Sequence, residues 1–302
     1  MDGVIAVDKP SGFTSFDVIA VIRRLTGQRK TGHTGTLDPN ATGVLPVLLG
    51  SATKAQDIIV NHDKRYTADF RLGVTTDTLD IWGRVTGESG KTASRAQTEA
   101  LLPRFTGEIE QIPPMYSAVQ KNGQRLYDLA RKGIEVERDS RRVTVYSLSL
   151  LDFDEESQTG RLDIACSKGT YVRTLIDDLG AALGTGAVMT ALRRTEACGY
   201  CLDDCVTLDR LKELSESGEL DTALRPVQSL FVSYPELTVS AAQAKRFLNG
   251  GALDADRTAL RGRAQDGQIY RICRGGFLGL ARAEAGLLKI YKLFAKAEDF
   301  IF

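Results

Sequence analysis

Hydrophobic and polar positions along the chain switch between two periods. "GVIAVDK" opens with a short run of apolar residues closed by the turn "PSG", which predicts a strand. In "TSFDVIAVIRRLTG" the apolar positions Val18, Ile22 and Leu25 recur at helical spacing. Thr14 or Ser15 is a capping residue for that helix and Gly27 a stop. "VLPVLLG" reads as another strand, and a helix is expected from Ser51 over "SATKAQDIIV". "RYTADFRLG" alternates, with Tyr66, Ala68, Phe70 and Leu72 on one face, the pattern of a half-buried strand. "TTDTLDIWGRVTGE" is turn-rich and "SRAQTEALLPRF" helical.

Further along, "YSAVQKNGQRLYDLARKG" carries an Asn122-Gly123 turn followed by a short helix. "RRVTVYSLSLLDF" and "GRLDIACSKGT" predict paired strands, and "YVRTLIDDLGAALG" a helix leaving the second of them. Strands and helices intersperse without the regular alternation of a doubly wound sheet. The expected class is therefore α+β, with a mixed or antiparallel central sheet and flanking helices. Around Pro235 the pattern changes to one helix and short strands separated by glycines. The expected organisation is a large domain over residues 1–234 and a small β-rich module over 235–302.

Composition narrows the class. The 302 residues are 42% hydrophobic and 26% charged, ordinary for a chain that buries a full core. No stretch approaches the roughly 18 uninterrupted apolar residues of a membrane span. The start lacks the basic and apolar regions of a secretory signal, so a cytoplasmic protein is expected, with no membrane association. Five cysteines, an odd number at irregular spacing, read as reduced thiols. Cys198, Cys201 and Cys205 crowd "ACGYCLDDCV", but without a fourth ligand nearby they argue for a strand and its turn over a metal centre. Charge is balanced, 39 basic against 39 acidic residues, which counts mildly against nucleic acid as partner. Local basic runs interleaved with Tyr, "KNGQRLYDLARKG" and "ERDSRRVTVY", still suffice to neutralise phosphates or to form a solvated face.

Candidate chemistry concentrates in "KTGHTGTLDPNATGVLPVLLGSATK", Lys30 to Lys54. No Gly-Lys-Ser/Thr follows its glycines and no G-x-G-x-x-G is present, so neither phosphate-binding loop fits. His33 and Asp38 stand five apart in a loop, and His62 is the only other histidine, a weak basis for a metal. Asp77 and Asp80 in "TDTLD" suit a cation or, more commonly, turn capping. "LDPN" is itself a good β-turn, yet an aspartate presented among backbone N–H groups also serves as a nucleophile. Spacing does not choose between the two.

"GHTGTLDPNATGVLP" closely resembles the signature of the TruB-type tRNA pseudouridine synthases. "DKPSGFTSFDV", "GSATK", "YTADFRLGVTTDTLD", "IPPMYSAVQKNGQRLYDLARKG", "CSKGTYVRTLIDDLG" and "LRRT" follow in the family's order, over roughly residues 3 to 210. The C-terminal part resembles the small RNA-binding PUA module by its helix-then-strands pattern alone. This resemblance implies the pseudouridine synthase fold and an isomerisation: the bond from ribose to uracil N1 is broken and remade to C5, with no cofactor and no metal. It implies as substrate the uridine at position 55 in the T loop of tRNA, and a monomer needing no protein partner. The segment of about 114–142 resembles the family's mobile RNA-binding loop.

Site residues follow residue by residue from the same resemblance. Asp38 is implied as the catalytic aspartate and Arg173 as its partner, a cation that should keep the buried carboxylate acidic. Tyr66 is implied to stack on the target base and to act as acid or base, with Tyr171 and Leu192 lining its pocket. His33 is implied to enter the RNA and hold the flipped conformation. Lys9, beside Pro10, is implied to support the catalytic loop and is counted among the substrate-binding positions, and Lys54 is implied to reach the RNA backbone. Gln120 and Val188 depart from the family's frequent Lys and His, and Trp82 in "DIWG" is unusual. Two rival readings stand beside it: a non-catalytic RNA-binding or tRNA-folding protein on the same scaffold, and a hydrolytic glycosylase. Retention of Asp38 and Arg173 disfavours the first, and the single acid of the opening motif disfavours the second.

Overall fold

The computed structural model describes residues 1–296 and residue 298. From the N-terminus come β1 (Gly3–Lys9), α1 (Ser15–Thr26), β2 (Thr31–His33), β3 (Thr42–Leu49), β4 (Lys64–Leu72), β5 (Val74–Thr76), β6 (Val85–Glu88), α2 (Arg95–Leu101) and β7 (Gly107–Gln111). A small arm follows: β8 (Gln120–Lys121), β9 (Gln124–Arg125) and α3 (Leu126–Arg131). Then come β10 (Arg141–Asp154), β11 (Thr159–Cys166), α4 (Val172–Leu183), β12 (Ala187–Ala197), β13 (Tyr200–Cys201), β14 (Val206–Thr207) and α5 (Leu208–Glu216). β15 (Glu236–Thr238), α6 (Ala241–Leu248), β16 (Leu253–Asp254), β17 (Ile269–Cys273), β18 (Phe277–Glu284) and β19 (Leu287–Leu293) complete the fold.

Ten strands make the central sheet, in the order β14-β1-β3-β12-β4-β11-β10-β7, with β13 on β12 and β2 on β3. Its pairs are antiparallel except β1 with β14 and β3 with β12, so the sheet is mixed, as expected. The continuous apolar runs of β1 and β3 have a simple cause: both strands are covered on both faces. Ile5, Val7, Leu45 and Val47 face α1, α4 and α5, while Val4, Ala6, Val44 and Leu48 join a cluster with Phe231, Ile269 and Leu280. Each fully buried Ile or Leu of this kind contributes about 1.5–3 kcal/mol. β4 is covered on one face only, which is why it alternates. Thr14 caps α1 in a reciprocal box with Asp17, and Gly27 ends it in the left-handed region at φ +64°.

One element differs from expectation. The helix predicted from Ser51 is a 3₁₀ segment, Gly50–Ala55, followed by turns. Leu49 offers it no capping side chain, and the β-branched run Ile58, Ile59, Val60 disfavours continuation. Ser51 N–H is instead held by Asp2, and Thr53 turns its hydroxyl back onto Gly50 O.

In the arm, Asn122 and Gly123 both take positive φ, the hairpin turn that Asn-Gly specifies. Its core is small, Met115, Leu126 and Leu129. The C-terminal sheet runs β15-β17-β18-β19-β16, with Ala244 and Phe247 of α6 packed into its core. Residues on both sides of Pro235, Phe231 and Tyr234 with Phe277 and Phe294, pack into one cluster, so the two sheets share a core.

Candidate active site

Asp38 stands in the loop between β2 and β3, and the loop is held from below. Its backbone does form the turn that "LDPN" predicts, closed by Ala41 N–H donating to Asp38 O at 3.1 Å. Leu37 is buried and anchors the loop through reciprocal hydrogen bonds with the Ser15 hydroxyl. Two buried cations complete the support. Arg194 on β12, 0% exposed, donates to the carbonyls of Val44 at 2.7 Å, Gly35 at 3.1 Å and Thr36 at 3.4 Å. Lys9, likewise 0% exposed, donates to the carbonyls of Pro10, Phe13 and Pro39. Such desolvated charges persist because carbonyl dipoles replace their water. Gly43 is forced where the loop enters β3: it has φ +102°, and a Cβ there would lie 2.1 Å from Arg194 O.

Arg173 enters from the first turn of α4. Its Nε lies 3.1 Å from Asp38 Oδ2 and its Nη2 donates to Asp38 Oδ1 at 3.3 Å, a two-pronged pair. The same guanidinium donates to Thr78 O at 2.9 Å and Tyr116 O at 3.0 Å, and its Nη1 lies 3.5 Å from Asp80 Oδ2. Its side chain is 6% exposed, against 39% for Asp38. Thus the fork is buried and fixed while one carboxylate face stays open to a substrate. Gln111, buried at the end of β7, clamps the residue before α4 by accepting from Tyr171 N–H and donating to Tyr171 O.

Asp38's acidity departs from expectation. Burial raises the carboxyl above its ordinary range, Asp80 adds to the rise, and Arg173 and Lys9 pull it back without reversing it. The cation limits the shift; it does not make the group unusually acidic. Tyr66 on β4 is 7% exposed, in register with Arg194 of β12 and Ile164 of β11. Burial pushes its phenol up, Arg194 opposes that, and the charge on Asp38 adds to it, so the hydroxyl is a protonated donor at neutral pH. Leu192, 9% exposed, pairs with Ala68 two residues along the same strands. His33 ends β2, and its Nδ1 accepts from Gly35 N–H at 3.2 Å, which leaves the ring proton on Nε2. Burial, and secondarily Arg194, lower its pKa, so it is neutral.

The structure therefore pairs Asp38 with Arg173 and sets Tyr66 near enough to feel the charge of Asp38. Leu192 lies on the strand beside Tyr66, Tyr171 two residues before Arg173 and His33 at the other end of the Asp38 loop. One expectation gives way. Lys9 has no open surface and spends its ammonium on three carbonyls, so it is a brace of the loop and not a substrate contact. Lys54 donates to Leu293 O at 3.2 Å, tying the 3₁₀ segment to β19. Three residues of the site went unassigned in the sequence. Arg194 lies inside "LRRT", Asp80 reads in the sequence as a turn or cation residue, and Gln111 carries no signal. Asp80 does cap its turn, accepting from Thr78 Oγ1 and Trp82 N–H, and also faces Arg173. Of the departures, Val188 is buried in β12 and Gln120 is exposed on the arm.

Comparison with known proteins places these residues in a lineage. The family described as TruB family pseudouridylate synthase (N terminal domain) matches residues 23–172, and the tRNA pseudouridylate synthase B C-terminal domain matches residues 173–232. A tRNA pseudouridine synthase B of Azoarcus sp. (strain BH72) is 44% identical over 98% of this chain and 95% of that relative. One from Geobacillus thermodenitrificans (strain NG80-2) is 45% identical over 84% and 86%. Among solved structures, a chain of a Cbf5-Nop10-Gar1 complex superposes with TM-score 0.73 at 25% identity, covering 98% of this chain and 86% of that one. Identity at this level, sustained across almost the entire length, establishes descent: the chain belongs to the TruB family of pseudouridylate synthases.

Proposed function

We propose that this protein isomerises uridine to pseudouridine in tRNA, at the uridine of the T loop (position 55). The observation that carries the reading is the Asp38–Arg173 fork: a carboxylate with one face open, held by a cation that cannot lose its proton. In the reaction the C1′–N1 bond breaks, a C1′–C5 bond forms, the C5 proton leaves and N1 gains a proton. The product is an isomer, so the balance needs no redox partner. Asp38 acts at the ribose, where two routes are open to it: addition at C1′, or removal of the C2′ proton first. Tyr66 and Leu192 wall the freed uracil while it turns, since a flat apolar surface grips every orientation of the ring. The neutral His33 imidazole enters the RNA, offsetting part of the few kcal/mol that unstacking costs.

The wider assignment follows. The arm at 114–142 closes over the RNA with its Lys, Arg and Tyr side chains, and the module at 235–302 binds the RNA in the manner of a PUA module. The protein works as a monomer in the cytoplasm. Among the described residues no helix is long and apolar enough to cross a membrane. The test is incubation with an unmodified T-arm stem-loop whose uridines carry tritium at C5. One equivalent of tritium released per RNA, mapped to one uridine, is expected; no release at saturating protein overturns the proposal.

Arg194 offers a separate prediction. Replacing it by Met strips the donors from the carbonyls of Val44, Gly35 and Thr36 and removes a buried fork, so Arg194→Met should unfold about 2–4 kcal/mol more easily in urea. Arg194→Lys keeps the charge and loses the fork. It should fold and yet turn over at least about tenfold more slowly, because the loop carrying Asp38 is no longer fixed. A Lys variant with wild-type kcat would show that Arg194 serves stability alone.

A further inference from the structure

We infer that Trp82 is a stacking platform for an unstacked nucleobase of the RNA next to the uridine being isomerised, an inference that rests on the function proposed above. Trp82 is the only tryptophan in the chain and is 52% exposed, with no aromatic or cationic ring partner among the described residues. Ile81 and Val85 beside it are 46% and 51% exposed, so the turn joining β5 to β6 presents an apolar tip to water. Local structure does not call for this. Gly83 is dictated by space, since a Cβ there would lie 2.2 Å from Thr78 Oγ1, but the indole satisfies no packing need of the turn.

The tip is rigid. Thr76 Oγ1 donates to Asp80 O at 2.7 Å, Gly83 N–H to the same carbonyl at 3.2 Å, and Arg84 N–H to Asp77 Oδ1 at 2.9 Å. Ile81 N–H donates to Met189 O and Met189 N–H to Leu79 O, fastening the turn to β12. It is also continuous with the site. Trp82 N–H donates to Asp80 Oδ1 at 3.2 Å, and the other Asp80 oxygen faces Arg173, which holds Asp38. The turn that presents the indole is thus tied through Asp80 to the Asp38–Arg173 pair. Flipping a uridine out of its loop deprives the neighbouring bases of a stacking partner, and an aromatic face so mounted supplies one. Arg84, its side chain 84% exposed and only loosely paired with Asp77 at 3.9 Å, adds a cation for the adjoining phosphate. This continuity favours a nucleobase over a protein partner as the occupant.

Trp82→Ala should raise KM for the T-arm stem-loop about 5- to 100-fold, with kcat within about twofold and Tm unchanged. Trp82→Phe should recover most of the loss. Because the tryptophan is unique, its emission in the Asp38→Asn protein should be quenched as the stem-loop saturates it. An unchanged KM, or unaltered emission with RNA shown bound by filter retention, overturns the inference. So does an Ala variant that melts well below wild type with kcat and KM falling together, which would make Trp82 structural. If wild type releases no tritium yet the stem-loop quenches Trp82 and Ala weakens binding, the isomerase reading falls and the stacking platform stands.

Discussion

Asp38→Asn protein should bind the T-arm stem-loop with wild-type affinity and release no tritium, a loss of at least about 10⁴-fold in kcat. The substitution keeps shape, removes the charge and turns one of the two oxygens that Arg173 grips into an amide donor, while the turn closed by Ala41 remains. On the proposed function, RNA affinity rests on phosphate and stacking contacts away from Asp38, so binding and turnover should separate. Stability should not suffer. Burial raises the Asp38 pKa, so in the fold the ionised form is disfavoured; that stabilising contribution is full at acid pH and lost as pH rises through the folded value. At neutral pH an amide in its place removes that disfavoured charge but costs Arg173 one prong of its pair, so the Asp38→Asn protein should fold and melt close to wild type. Turnover within about tenfold of wild type would remove Asp38 from the chemistry.

Sequence reading reached the architecture because its strands and helices follow periods that burial enforces. β1 and β3 read as unbroken apolar runs since both faces are covered, and β4 alternates since one is not. Thr14 and Gly27 marked the ends of α1 by local chemistry alone. The segment from Ser51 was misread because a helix needs a cap and a continuing face, and here Leu49 supplies no cap and Ile58–Val60 oppose continuation. Asp38 and Arg173 were legible through the motif, not through spacing, since 135 residues separate them. What stayed hidden was support. Arg194 looks like any arginine in a strand until the register sets it under the loop, opposite Tyr66. Gln111 is recognisable only when β7 ends beside Tyr171. The sign of the Asp38 shift was equally beyond reach, because it depends on how much protein crowds the carboxyl and on Asp80, neither of which the motif encodes.

Arg173 substitutions should move the acid limb of the pH–rate profile upward as well as lowering its plateau. Asp38 must be ionised to act, so activity falls as pH drops through its pKa. Burial already sets that value above the ordinary carboxylate range, and Arg173 is the larger of the two cations opposing the rise. Arg173→Met deletes that opposition, so the Asp38 carboxyl holds its proton to higher pH. The plateau should fall about 10²- to 10³-fold, the cost of removing one fixed electrostatic partner. Arg173→Lys should lie between. An ammonium restores charge, but as a single point it cannot serve both Asp38 oxygens together with the carbonyls of Thr78 and Tyr116. Profiles of kcat/KM for tritium release, with melting curves to confirm folding, should therefore order the limbs as wild type, then Lys, then Met at the highest pH. A limb that stays in place while the plateau falls would mean that Arg173 positions Asp38 without governing its charge.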